Sequence, residues 1–119
     1  MLEILPESQD DLVAVRAGGK LSAEDYTKVW LPKLEKEIRK HGKVRALLYL
    51  DETFDGWEVG AMWEDAKFGL GHADDFEKVA LVGAPQWVES VVGLIGHLME
   101  GSVKSFAAGG LDEAYSWIK

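Results

Sequence analysis

Three carboxylates, Asp51, Glu52 and Asp55, follow the apolar run "VRALLYL". The end of a buried strand is where α/β sheets commonly hold ligands, and paired carboxylates do acid/base chemistry when burial splits their pKa values. A solvated acidic loop needs the same residues and does no chemistry, and that is the expectation here, with Asp51 the most shielded of the three. His72 with Asp74 and Asp75, in "GHADD", offers imidazole and carboxylate ligands for a divalent metal. The spacing matches no named metal motif, and a polar loop ahead of "FEKVALVG" accounts for it. His97 falls on the polar arc of a helix, and His41 sits at a helix end that favours cations. There is no cysteine, which excludes disulfides and thiolate chemistry. No serine lies in a G-x-S-x-G elbow, and no G-x-x-x-x-G-K-[ST] loop exists. "VGAPQW" places a turn and a helix start after a strand, a weak anion-holding arrangement. No nucleophile–base pair can be named. The expectation is a non-enzymatic protein with no cofactor and no metal site.

The elements that must position these residues follow from hydrophobic periodicity. "LEIL" and "LVAVRA" read as an antiparallel pair of strands at a sheet edge. "LSAEDYTKVWLPKLEKEIRKHG" reads as a helix. Ser22 and Asp25 have capping-box spacing, Tyr26, Val29, Trp30, Leu34 and Ile38 recur at helical intervals, and Gly42 ends it. Pro32 removes a donor and crowds the carbonyl of Lys28, so a bend is expected there rather than a break. "VRALLYL" and "KVALVG" read as buried strands, and "VKSFA" as a last strand. "PQWVESVVGLIGHLM" reads as a helix with Pro85 in its first turn, and "GLDEAYSWIK" as a short helix with Asp112 as N-cap. The order ββαβαβαβα predicts a mostly parallel sheet.

The helix expected over "DGWEVGAMWEDAKFGLG", Asp55 to Gly71, is unusual. At about 100° per residue, Val59, Met62, Trp63, Ala66 and Leu70 share a broad arc. That arc is the expected core face. Trp57, Ala61 and Phe68 fall roughly opposite, flanked by Glu58, Glu64 and Asp65. An ordinary amphipathic helix has one apolar face; this one has two. The next helix shows a similar surplus, with Trp87, Val91, Leu94 and Leu98 on one stripe and Val88, Val92, Ile95 and Met99 on another. The second stripes either pack on each other, line an apolar cleft, or present a patch to a membrane or a second copy. Gly56, Gly60, Gly69 and Gly71 each weaken a helix by roughly 1 kcal/mol relative to alanine where truly helical, which makes the aromatic helix a plausible moving lid.

Charge narrows the partners. The chain of 119 residues is 47% hydrophobic, enough for a real core, and its formal net charge is -8. Such a surface repels phosphate backbones, so nucleic acid is not an expected partner, and it offers no Lys/Arg cluster to anionic lipid. The start, "MLEILPESQDD", lacks the features of a signal peptide, and no apolar run approaches the roughly 20 residues of a membrane span. The expected location is the bacterial cytoplasm, with a peripheral place at a membrane surface as the alternative.

Three stretches carry a family likeness: "GGKLSAEDYTKVWLPKLEKEIRKHGKVRALLYLDE" with Asp25, Tyr26 and Pro32, then "KVALVGAPQW", then "VKSFAAGGLDEAYSWIK" with Ala114 and Trp117. In order and spacing they resemble the SpoIIAA-like family of the STAS-like group. The resemblance implies one α/β domain over residues 1–119, a mostly parallel sheet with an antiparallel edge pair and about four helices. Anti-anti-sigma factors carry a phosphorylatable serine after an aspartate at the start of the helix that follows the central strand. Here that place reads "FDGWEV": Asp55 fits the aspartate, but Gly56 and Trp57 stand where the hydroxyl belongs. For the SpoIIAA-like branch, the resemblance implies binding of an apolar small molecule or association with membranes. The expected site combines Trp57, Met62, Trp63, Phe68, Trp87, Val91, Leu94 and Leu98 in an apolar cleft or patch for a lipid-like ligand or a bilayer surface. A regulatory protein-interaction domain without the phosphorylatable serine is the alternative, and a homodimer burying the surplus stripe is a third.

Overall fold

A computed structural model describes residues 1–86 and 102–119. Five strands form one sheet: β1 (Leu2–Ile4), β2 (Leu12–Ala17), β4 (Val44–Leu50), β6 (Phe76–Val82) and β7 (Ser102–Phe106), side by side in that order. β1 runs antiparallel to β2, and every other neighbouring pair is parallel. The mostly parallel sheet with an antiparallel edge pair is therefore as expected from the apolar runs. The short strands β3 (Lys20–Leu21) and β5 (Gly56–Trp57) make a separate parallel pair, which two-residue segments do not announce in a sequence.

β2, β4 and β6 are buried on both faces, which is why they read as apolar runs, whereas Lys104 and Ser105 of β7 are exposed. In β2, Val13, Val15 and Ala17 join one core, while Leu12 and Ala14 join the other. In β6, Phe76 and Val79 share a face although they are three residues apart. The register shift between Val44 and Arg45 resolves this, because Arg45 pairs with Lys78 while Val44 pairs with Phe76. Glu77 is thus the extra residue of a bulge, exposed and 3.2 Å from the Arg45 guanidinium.

The first face is covered by two helical connections. Ser22 and Asp25 form the capping box, with Ser22 N–H donating to Asp25 Oδ2 at 2.9 Å and Asp25 N–H donating to Ser22 Oγ at 3.2 Å. Helix α1 (Ala23–Asp25) passes into a π turn (Tyr26–Trp30) and then into α2 (Leu31–His41). In the π turn, Leu31 N–H reaches back to the Tyr26 carbonyl. This wider register relieves the conflict at Pro32, whose ring cannot follow a continuous α-turn without crowding the fourth residue before it. The helical path continues through the proline as expected. Gly42, at φ 85°, terminates it. Tyr26, Trp30 and Leu34 are buried against the sheet. The second connection contains α3 (Val59–Gly71) and a 3₁₀ turn (Ala73–Asp75).

The opposite face is covered by α4 (Leu111–Ile118), which buries Ala114 and Ile118 against Leu47, Ala80 and Val82. Its carbonyl end meets two cations from the sheet: Arg45 donates to the Ile118 carbonyl at 3.0 Å, and Lys78 donates to the Trp117 carbonyl at 2.9 Å. Cations satisfy both the orphan carbonyls and the negative end of the dipole. The N-cap is Gly110, not Asp112. Asp112 lies in the first turn, where its charge favours the helix without a side-chain capping bond. The helix expected from "PQWVESVVGLIGHLM" spans 85–99 and, apart from its first two positions, lies outside the described residues.

Candidate functional site

The carboxylate loop after β4 is a closed network. Asp51 Oδ1 accepts from the Thr53 hydroxyl at 2.6 Å and from Thr53 N–H at 2.8 Å, a tight local turn. Asp51 Oδ2 lies 3.6 Å from Arg16 Nε, and the Asp51 side chain is only 14% exposed. The Thr53 hydroxyl bond, with its amide and Arg16 beside it, outweighs burial and holds the Asp51 carboxyl below its ordinary value. A carboxylate stabilised in its charged form is a poor proton acceptor at neutral pH. Glu52 and Asp55 are exposed. Thr53 Oγ also accepts from Gly19 N–H at 3.2 Å, which fixes it in the turn. A side chain at Gly18 would come within 2.6 Å of Thr53 Oγ and 2.9 Å of Asp51 Oδ2, so the bare glycine makes room for the network.

From this loop the chain enters β5. Gly19 N–H donates to the Thr53 carbonyl, Asp55 N–H to the Gly19 carbonyl and Glu58 N–H to the Leu21 carbonyl, extending the β3–β5 pairing on both sides. Gly56 sits at φ 110°, a conformation open to glycine and strained for other residues. Trp57 therefore lies on a strand, not on the helix predicted for it. Its indole N–H donates to the Tyr26 hydroxyl at 2.7 Å, and its ring meets Phe54 edge-on at 5.0 Å.

At Val59 and Trp63, the described positions of its larger apolar arc, helix α3 faces away from the core rather than into it as expected. Ala61 is fully buried, and Phe68 packs on the core of the first face, whereas Val59 is 83% and Trp63 64% exposed. The smaller stripe faces inward because Gly60 brings the first turn against α1. A β-carbon there would be 3.1 Å from the Ala23 methyl group. Phe68 stacks on the His72 ring at 4.3 Å and meets Phe76 edge-on at 6.2 Å. His72 pairs with Asp75 at 2.7 Å rather than with Asp74, and no group of three or more metal-binding side chains occurs among the described residues.

Of the expected site residues, Trp57 and Phe68 thus lie inward as supports, and Trp63 lies outward. Met62 is on α3, but its side chain is not among those described, and Trp87, Val91, Leu94 and Leu98 lie outside the described residues. Val59 was assigned to the core and is instead the partner of Trp63, one turn away on the exposed face. Their i, i+4 spacing was legible; the direction of the face was not.

Comparison with known proteins agrees with this architecture. The SpoIIAA-like family model matches residues 12–119. The chain belongs to the SpoIIAA-like family, whose fold is related to that of anti-anti-sigma factors and STAS domains. A crystal structure of an uncharacterized DUF3478-family protein with a SpoIIAA-like fold, from Shewanella loihica PV-4, is 30% identical. The match covers 99% of this chain and 94% of that one, with a TM-score of 0.76. No curated protein matches the sequence.

Proposed function

We propose that this domain is a non-enzymatic binding module that holds an apolar, lipid-like small molecule on the outer face of α3. The observation that carries the reading is the exposure of Val59 and Trp63 on a helix whose other stripe is already seated on the core. Single exposed apolar residues are ordinary, but two large ones on successive turns form a ridge. Tryptophan suits such a contact, since its ring is apolar and its N–H can stay wet. Covering the exposed part of Trp63 and of Val59 is worth roughly 5 kcal/mol at 25 cal/mol per Å². That corresponds to a dissociation constant of about 0.2 mM before ordering costs, suited to a small molecule held reversibly.

The phosphorylation switch of anti-anti-sigma factors finds no support at the corresponding place. Gly56 has a backbone that disfavours serine, and the hydroxyl of Thr53 is engaged by Asp51 and Gly19. The SpoIIAA-like fold is generally non-catalytic, and the low-pKa, ion-paired Asp51 is poorly suited to general-base work.

Isothermal titration calorimetry with a neutral short-chain lipid at millimolar concentration, with native mass spectrometry of the purified protein beside it, tests the reading. Saturable binding, lost in the Val59→Ser/Trp63→Ser variant, supports it. A clean apo mass, together with no change in tryptophan fluorescence on adding neutral short-chain lipid, sinks it. A mass of twice the chain that collapses to one chain in the same variant assigns the ridge to a dimer interface instead.

A further inference from the structure

The segment that leads into α3 carries the chain's one Asp–Gly dipeptide, Asp55–Gly56. We infer that this is a site of covalent self-modification: Asp55 isomerises spontaneously to isoaspartate, at a rate set by the β3–β5 pair and its Trp57 latch. The reaction needs a carboxyl beside the next residue's amide nitrogen, with no side chain to keep them apart. Asp55 is exposed, and its carboxylate makes no hydrogen bond or ion pair among the described residues. Gly56 has no β-carbon, and no atom lies within 4 Å of the place one would take, so the space beside it is open. Asp25 and Asp51 differ on both counts. Their carboxylates are engaged by Ser22 and Thr53, and the larger residues Tyr26 and Glu52 follow them.

In the first step the Gly56 nitrogen bonds to Cγ of Asp55, and a carboxyl oxygen leaves as water with the carboxyl and amide protons. The product is a succinimide ring. Water then opens the ring: at Cγ it restores aspartate, and at the main-chain carbonyl it routes the backbone through Cβ and Cγ. Water released in one step is taken up in the other, so no other reactant is needed and the mass is unchanged. The ring cannot close while the peptide is held. Asp55 N–H donates to the Gly19 carbonyl at 2.7 Å, and Glu58 N–H donates to the Leu21 carbonyl at 2.8 Å. Trp57 adds its indole bond to Tyr26 at 2.7 Å. Yet β3 and β5 have two residues each and stand apart from the five-stranded sheet. Segments held by so few bonds open locally at far lower cost than the whole domain. Isoaspartate puts an extra main-chain atom between the two held N–H groups. Both bonds then no longer fit one register, and the start of α3, at Val59, loses its tie to β3.

The test ages the full chain at neutral pH, folded in buffer and unfolded in guanidinium chloride. Isoaspartyl methyltransferase labelling with peptide mapping reads the product at residue 55. The chain has no asparagine, so isoaspartate can come only from aspartate. The product is expected in both samples, forming roughly tenfold to a hundredfold more slowly in the folded one, as for a local opening. Trp57→Phe keeps an aromatic ring but removes the indole N–H. It should speed the folded reaction about fivefold, the worth of one hydrogen bond, and leave the unfolded reaction unchanged. Asp55→Glu, whose longer side chain cannot form the same ring, should abolish the signal. Equal rates in folded and unfolded protein, or a folded rate that Trp57→Phe leaves unchanged, overturn the gate. A folded rate suppressed by more than about a thousandfold means that the site reacts only on global unfolding, and overturns the proposal. So does a signal that persists in Asp55→Glu, or none at residue 55 in the unfolded chain.

Discussion

The orientation of α3 is the point on which the site depends, and paired substitutions test it directly. Phe68→Ala removes a ring that packs on the first core and touches both His72 and Phe76. A fully buried Phe→Ala change costs about 3–5 kcal/mol. Phe68 is partly buried, so roughly 2 kcal/mol is expected. For 119 residues, an unfolding entropy of about 2.1 cal/mol/K per residue converts this into a fall in Tm of roughly 8 °C. Trp63→Ser and Val59→Ser act on side chains that are 64% and 83% exposed. Tryptophan, valine and serine differ little in helix propensity, so each substitution should cost less than about 0.7 kcal/mol, or roughly 3 °C. Thermal and urea unfolding followed by far-ultraviolet circular dichroism reads all three. If Trp63→Ser costs as much as Phe68→Ala, the larger arc is the buried one, and the ridge does not exist.

Gly56→Ser, which restores a hydroxyl where anti-anti-sigma factors carry one, should destabilise by about 1–2 kcal/mol in urea midpoint measurements. No atom lies within 4 Å of the added β-carbon, so the whole cost comes from the backbone at φ 110°. Asp51→Asn should cost roughly 1–2 kcal/mol at pH 7 through its charged hydrogen bonds to Thr53 and its pairing with Arg16. Because the folded carboxyl titrates below 3.8, the stabilisation is complete above that pH and is lost as pH falls through the folded value, so wild type and variant should converge in strong acid. Burial, with Glu7 second, pushes the Tyr115 hydroxyl up to about 12. Its contribution to stability is complete below pH 10 and declines as pH rises towards 12. In a spectrophotometric titration Glu7→Gln should lower this late tyrosine step, yet leave it above the ordinary value because burial remains.

The sheet was legible because buried parallel strands leave little choice. "LVAVRA" and "VRALLYL" coincide with β2 and β4 residue for residue. The first helix was legible from its capping box and its terminal glycine, since both act locally. Trp57 was misplaced because the β3–β5 pair depends on a partner about 36 residues away in the chain and on a glycine backbone angle that residue type does not reveal. The face of α3 was misread for a related reason. Counting apolar residues favours the broader arc, but the contact is decided by Gly60, whose missing side chain admits Ala23, and by Ala61 and Phe68 behind it. Small residues set how closely two helices approach, and they carry little weight in a hydrophobicity pattern.

The two cations at the end of α4 bear on the order in which the chain assembles. Helix α4 has eight residues, too few to persist alone in water. Its apolar side chains rest on β2, β4, β6 and β7 together, and its last carbonyls are held by Arg45, 73 residues earlier, and by Lys78, 39 residues earlier. Neither cation is in place until β4 and β6 have paired. The helix therefore closes a sheet already built, and its amides can be protected from exchange no longer than the strands that hold it.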